Sequence, residues 1–248
     1  MKQEMVLGMV LSAMPVGEYD KRLVILTKEH GKIAAFARGA RRPNSPLLSC
    51  SEPFSFGNFT IYQGRDSYTI GTAEISNYFS ELRNDLEGAY YGFYFCEFAS
   101  CMTRENMDAI DVLKLLYQTF RCLVKKTIPN ALIKIIFELK MMYLNGEGPQ
   151  VFVCTKCGKQ EENMMFSVRE GGLLCESCRK KREVSDRTFL LPATVYTMQY
   201  IKSTPIEKLY TFIVKEEVLD ELKVCMEKYV KLYVNYELKT LEFLGIFS

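Results

Sequence analysis

Residues 21–42 read KRLVILTKEHGKIAAFARGARR. Two short runs rich in β-branched and small apolar residues flank His30-Gly31, a dipeptide suited to a tight turn, so the stretch predicts a strand, a turn and a second strand. Alternation along the second strand puts Lys32, Ala34, Phe36 and Arg38 on one face and Ile33, Ala35 and Ala37 on the other. The same twenty-two residues hold Lys21, Arg22, Lys28, Lys32, Arg38, Arg41 and Arg42 against the single acid Glu29, a formal charge of +6, whereas the whole chain carries +2. The stretch therefore sets both a β architecture and a concentrated positive surface.

Working outward, residues 1–80 keep the β pattern, with strands near 4–14, 22–28, 32–38, 53–62 and 67–75. Phe54, Phe56, Phe59 and Ile61 alternate around Gly57-Asn58, and Gln63-Gly64-Arg65-Asp66 supplies another turn. Five strands in about eighty residues fit a five-stranded OB-fold barrel; an SH3-like barrel fits the spacing as well. From about residue 81 the period becomes helical. Helices are expected from Asn84 or Asp85 to about 101, from Asp108 to about 125, from Pro129-Asn130 to Asn145-Gly146, then over 191–203, 205–213 and 216–244. The fold class expected is α+β and multidomain: a barrel over 1–80 followed by an all-helical domain over 81–248, interrupted by a metal-binding insert at about 150–185.

That insert runs CTKCGKQEENMMFSVREGGLLCESC, Cys154 to Cys178. Two Cys-x-x-Cys pairs separated by seventeen residues match the spacing of a four-cysteine zinc site, in which each turn aims two thiolates at one point. A shell of Cys154, Cys157, Cys175 and Cys178 leaves no open position for water, so one structural zinc ion is expected; a redox dithiol and an iron–sulfur cluster are the alternatives weighed against it. Gly158 suits the knuckle turn and Glu170-Gly171-Gly172 a hairpin turn. Cys50, Cys96, Cys101, Cys122 and Cys225 have no ligand spacing and read as small core residues.

Composition narrows the function classes. With 248 residues, 48% apolar and 25% charged, the chain can bury a substantial core and does not resemble a disordered one. The start, MKQEMVLGMVLSAMP, resembles a signal peptide superficially, but Glu4 breaks the basic segment, and the cysteine usage suits a reducing compartment; a first strand and a cytoplasmic protein are expected. No uncharged apolar run is long enough for a membrane helix. His30, the sole histidine, reads as a solvated turn residue, and Glu216, Glu217, Asp220 and Glu221 as the solvated first turns of a helix. Phosphate-loop, nucleophile-elbow and dinucleotide-binding motifs are absent, so no catalytic residue is assigned and no enzyme is expected.

The positive face is the candidate site. An aromatic ring between cations suits a single strand, bases stacking on Phe36 while phosphates meet Lys32 and Arg38; packing of Phe36 into the core is the competing reading. Arg179, Lys180, Lys181 and Arg182 form a second basic cluster after Cys178.

Taken together, LVILTKEHGKIAAFARGARRPNSP, the helical region, CTKCGK…FSVREGGLLCESC and the closing KTLEFLGIF resemble, in order and over essentially the whole chain, the bacterial recombination-mediator RecO family. The resemblance implies an N-terminal OB-fold and a helical domain that carries the cysteines. It also implies binding of single- and double-stranded DNA, annealing of complementary strands, and partnership with RecR to help RecA load onto DNA coated by single-stranded-DNA-binding protein. No membrane or small-molecule substrate is implied, and the location would be the cytoplasm, at the nucleoid. By position, Lys32, Arg38, Arg41 and Arg42 fall where the family's DNA contacts are expected, with Lys21, Arg22 and Phe36 beside them. Cys154, Cys157, Cys175 and Cys178 match the family's zinc ligands. The alternative is a zinc-containing adaptor that joins protein partners without touching DNA.

Overall fold

The computed structural model describes residues 2–65, 67–161, 164–180 and 187–245. The first five strands lie close to where alternation puts them: β1 Gln3–Val16, β2 Asp20–Thr27, β3 Gly31–Ala37, β4 Phe56–Gln63 and β5 Tyr68–Asn77. Their order in the sheet is β1-β2-β3-β5-β4. β1 is long enough to serve two neighbours, its first half pairing with β4 and its second with β2, and the register shifts between Val10 and Ser12. The antiparallel ladders run to seven or eight residue pairs each. β3 and β5, by contrast, meet in parallel at only two, Ala35 with Tyr68 and Phe36 with Thr69. That junction is the thin seam of the sheet.

Val6, Val10, Leu23, Ile25, Ile33, Ala35, Ala37, Phe59, Ile61 and Ile70 fill the inner face. The long connection from β3 to β4 adds Ala40, Leu47 and Cys50 to the same core. It is tied at its far end by Phe54 N–H donating to the Val10 carbonyl (2.9 Å) and by Phe54 packing on Phe93 and Phe120. A loop fixed at this many points presents its surface residues in one arrangement.

Helices follow where expected: α1 Leu86–Met102, α2 Ile110–Lys125 and α3 Asn130–Leu144. After the cysteine segment come α4 Glu176–Lys180, α5 Pro192–Ser203, α6 Glu216–Tyr233 and α7 Leu241–Leu244. Two expectations fail locally. Residues 205–213 form only a single 3-10 turn, Ile206–Lys208, before the β-branched run toward Val214 leaves the helical region. The closing helix stops at Tyr233 and resumes at Leu241, where the Glu97 carboxylate accepts from Thr240 N–H (2.9 Å) and hydroxyl (2.6 Å).

The expected class, an OB-fold barrel and then an all-helical domain, is corrected. The chain forms two compact units, Met1–Lys126 with Leu238–Ser248, and Thr127–Glu237, so the strands share their unit with α1, α2 and α7. The second unit is not all helical. β6 Met165–Ser167, β7 Gly172–Leu174 and β8 Arg187–Thr188 make a sheet in the order β7-β6-β8. Strands of two or three residues are too short to show a two-residue period, so the sequence marks only the hairpin turn at Glu170-Gly171-Gly172, which β6 and β7 flank.

Within the second unit, α3 packs on α5 and α6. Lys140, buried on α3, donates to the carbonyls of Ile201 (3.2 Å), Lys202 (3.1 Å) and Thr204 (2.8 Å), which satisfies backbone groups at the end of α5.

Candidate metal centre and nucleic-acid interface

Each Cys-x-x-Cys pair sits in its own backbone device. At the first, Gly158 takes φ +70° and its N–H donates to the Cys154 carbonyl (3.0 Å), while Cys154 N–H reaches the Lys159 carbonyl (2.8 Å). At the second, Cys175 lies between β7 and α4, with Arg179 N–H donating to the Cys175 carbonyl (3.0 Å). The β6–β7 hairpin brings the pairs together: Thr155 N–H donates to the Leu173 carbonyl, and Leu173 N–H to that of Gln150, both at 2.8 Å. Gly172, at φ +145°, lies against the Gln150 backbone where a Cβ would collide with its carbonyl.

The result is four sulfur atoms all within 4.8 Å of one another, Cys154 and Cys175 buried, Cys178 half-buried and Cys157 exposed. Cys157 and Cys175 sulfurs are 3.6 Å apart, close to the roughly 3.8 Å edge of a tetrahedron with metal–sulfur bonds of about 2.3 Å. The cluster can hold a metal ion. Thiols this close cannot all ionise unaided: the Ser177 hydroxyl, 3.2 Å away, and then the Cys178 N–H pull Cys175 down to about 6, while hydrogen bonding with Cys175 first, then Cys157, pushes Cys178 up to about 12. A dication that accepts four thiolates removes that conflict. The remaining cysteines are ordinary by contrast: burial pushes Cys101, Cys122 and Cys225 up to about 11 and raises Cys50 and Cys96.

Tyrosines hold the centre to α6. Tyr233 hydroxyl donates to the Val168 carbonyl in the hairpin turn (3.0 Å), Tyr229 to that of Glu147 (2.8 Å), and the two rings stack 4.3 Å apart.

The basic residues of 21–42 divide. Lys21 turns partly inward, 13% exposed, with its ammonium 2.5 Å from the Glu52 carboxylate. Lys32 is half-buried and donates to the Ser100 carbonyl (2.5 Å) near the end of α1. Arg22, Arg38, Arg41 and Arg42 are exposed, and none lies within 4 Å of a carboxylate among the described residues. Arg41 and Arg42 are held at the β1–β2 turn. Arg41 N–H donates to the Tyr19 carbonyl (2.8 Å) and its guanidinium to those of Gly17 and Glu18, and Arg42 lies over the Tyr19 ring, 5.0 Å from its centroid. Asp20 accepts from Gly39 N–H (2.7 Å), which spends that carboxylate on the loop backbone.

Phe36 is half-buried on the outer face of β3, opposite Arg22, while Ile33, Ala35 and Ala37 point into the core. Of the second cluster, Lys180 pairs with Glu176 (2.7 Å) and Arg179 lies over Phe189; Lys181 and Arg182 lie outside the described residues. His30 is not simply solvated: it is 25% exposed and pairs with Glu4 at 3.0 Å. Sequence reasoning missed Tyr19, for which the only signal was an aromatic in the short Gly17-Glu18-Tyr19 turn beside the cations.

Comparison with known proteins matches residues 1–79 to the family description "Recombination protein O N terminal" and residues 83–242 to "Recombination protein O C terminal". The chain belongs to the recombination protein O family. It is 33% identical to the DNA repair protein RecO of Alkaliphilus metalliredigens strain QYMF, over 92% of each chain. It is also 29% identical to that of Acetivibrio thermocellus, covering 96% of this chain and 94% of the relative, and 30% identical to that of Bacillus subtilis strain 168, covering 96% and 92%. Among the described residues, no helix is long and apolar enough to cross a membrane.

Proposed function

We propose that this protein is a DNA repair and recombination mediator that binds DNA through its five-stranded part, residues 1–80, and makes or breaks no bond. It binds single and double strands and brings complementary strands together. Family membership supports the mediator role, the non-catalytic reading and dealings with DNA and other recombination proteins. The single observation that carries the DNA surface is the arginine set Arg22, Arg38, Arg41 and Arg42, exposed and without a carboxylate neighbour within 4 Å among the described residues.

Such a surface attracts phosphates of either strand and lowers the repulsion between two strands held on it, with counterions released on binding. Lys21 and Lys32 contribute little to it, because each ammonium is engaged by the protein. The specific partners in this reading are RecR, single-stranded-DNA-binding protein and, indirectly, RecA, in the bacterial cytoplasm at the nucleoid. The four cysteines hold one zinc ion whose role is to fold the hairpin segment; sulfur-only donors at tetrahedral spacing favour zinc. The test is annealing of complementary oligonucleotides coated with single-stranded-DNA-binding protein, with and without added RecR. Acceleration that falls steeply with salt supports the reading, and no acceleration together with no oligonucleotide binding at low salt refutes it.

A further inference from the structure

The register of the five strands lines up one row of outward side chains across the whole sheet. Met14 on β1 faces Arg22 on β2, Arg22 faces Phe36 on β3, Phe36 faces Thr69 on β5, and Thr69 faces Tyr62 on β4. Inner-face neighbours on these strands, Leu23, Ala35, Ala37, Ile61 and Ile70, are buried, whereas Met14 and Arg22 are exposed and Phe36, Thr69 and Tyr62 half-buried. Gly71 makes room for the second ring: a Cβ there would sit 2.5 Å from the Tyr62 ring, so the ring packs against bare backbone. Arg38 lies on the same face of β3 as Phe36, one step along.

We infer that Phe36 and Tyr62, two strands apart with Thr69 between them, form a stacking platform for the bases of single-stranded DNA and give this surface a preference for single strands over duplex. The inference rests on the reading of residues 1–80 as the DNA-binding part. Two strand spacings separate the rings by roughly 10 Å, a span that unstacked bases of one strand can bridge while phosphates meet Arg22 and Arg38. Duplex bases are stacked and paired with each other and offer no face, so duplex is held by the arginines alone. The row crosses the thin β3–β5 seam at one of its two residue pairs, Phe36 with Thr69, so a bound strand bridges the part of the sheet with the fewest hydrogen bonds of its own.

The chain contains no tryptophan, so Tyr62→Trp places a single reporter in the platform. Its fluorescence is expected to be quenched by an oligothymidylate and not by a blunt duplex hairpin. In fluorescence anisotropy, Phe36→Leu and Tyr62→Leu are each expected to weaken oligothymidylate binding by about tenfold or more and to leave duplex binding unchanged, whereas Arg38→Ala weakens both. Backbone hydrogen exchange on the unmodified protein is a second readout, independent of substitution: oligothymidylate is expected to slow exchange at Tyr68 and Thr69. Equal loss for both DNAs in the leucine variants, or no quenching and no added protection, overturns the platform. If Arg38→Ala still weakens both DNAs in that case, the cationic surface stands and only the platform falls.

Discussion

The guanidinium of Arg42 lies over the ring of Tyr19, 5.0 Å from its centroid, and this contact joins the arginine loop after β3 to the β1–β2 turn. With Arg41 bonded to the same turn through backbone and side chain, two cations are held with no carboxylate within 4 Å among the described residues. Cation–π contact is worth about 0.5–1 kcal/mol at an exposed site, enough to restrict the side chain and not enough to cancel its charge.

Replacing Arg38 with alanine removes an exposed cation that makes no hydrogen bond to the described residues. DNA affinity is expected to fall while thermal stability is unchanged. The slope of log affinity against log salt should flatten by about 0.7–0.9. Titrations at several salt concentrations measure it, and an unchanged slope would remove Arg38 from the interface.

Lys21 behaves in the opposite way. Its side chain is 13% exposed and its ammonium is paired with Glu52, so Lys21→Ala is expected to destabilise the first unit by about 1 kcal/mol and to leave the salt slope as it was. Paired denaturation and binding curves on one preparation test both halves.

Removal of the metal should act on the second unit alone. One equivalent of zinc is expected per chain, and a chelator should release it with loss of amide protection over the β6–β7 hairpin, while oligonucleotide binding by the strands persists. Zinc binding needs thiolates, so protons compete as pH falls, and affinity should decline through mildly acidic pH. Metal released at high pH and retained at low pH would contradict the assignment.

Gly172→Ala probes the hairpin independently of the thiols. Its φ of +145° and the Gln150 carbonyl in the path of any Cβ make the substitution costly, on the order of 2–3 kcal/mol. Weakened zinc retention with all four cysteines intact is the expected outcome, measured by competition with a chromophoric chelator.

At Asp85 the carboxylate sits at the start of α1 and pairs with Lys126 at 2.8 Å, which lowers its pKa. Its stabilising contribution is therefore present above the unfolded pKa and lost as pH falls through the folded one. Asp85→Asn is expected to cost about 1 kcal/mol or less at neutral pH, the range of an ion pair whose lysine stands in solvent, and nothing in strong acid.

Much of this molecule was legible from residues near one another in the chain. Alternation located the five strands, and Cys-x-x-Cys spacing named four residues whose sulfurs converge within 4.8 Å. Beside the cysteines the hairpin turn at Glu170-Gly171-Gly172 was legible, but the bounds of its strands and the third strand, β8, were not, because two or three residues carry no period. Nor was the break after Tyr233, where apolar residues at helical spacing continue although the helix does not.

Local order thus determined the first five strands, the four-cysteine cluster and the density of positive charge over residues 21–42, since each depends on residue types at short, fixed separations. Which of those cations face solvent was decided only in three dimensions. Lys21 meets Glu52 and Lys32 meets the Ser100 carbonyl, partners that no pattern within a strand can announce. The alignment of Phe36 with Tyr62 likewise needed the register of β3, β5 and β4, which is set by packing of the inner face and not by the outward residues themselves.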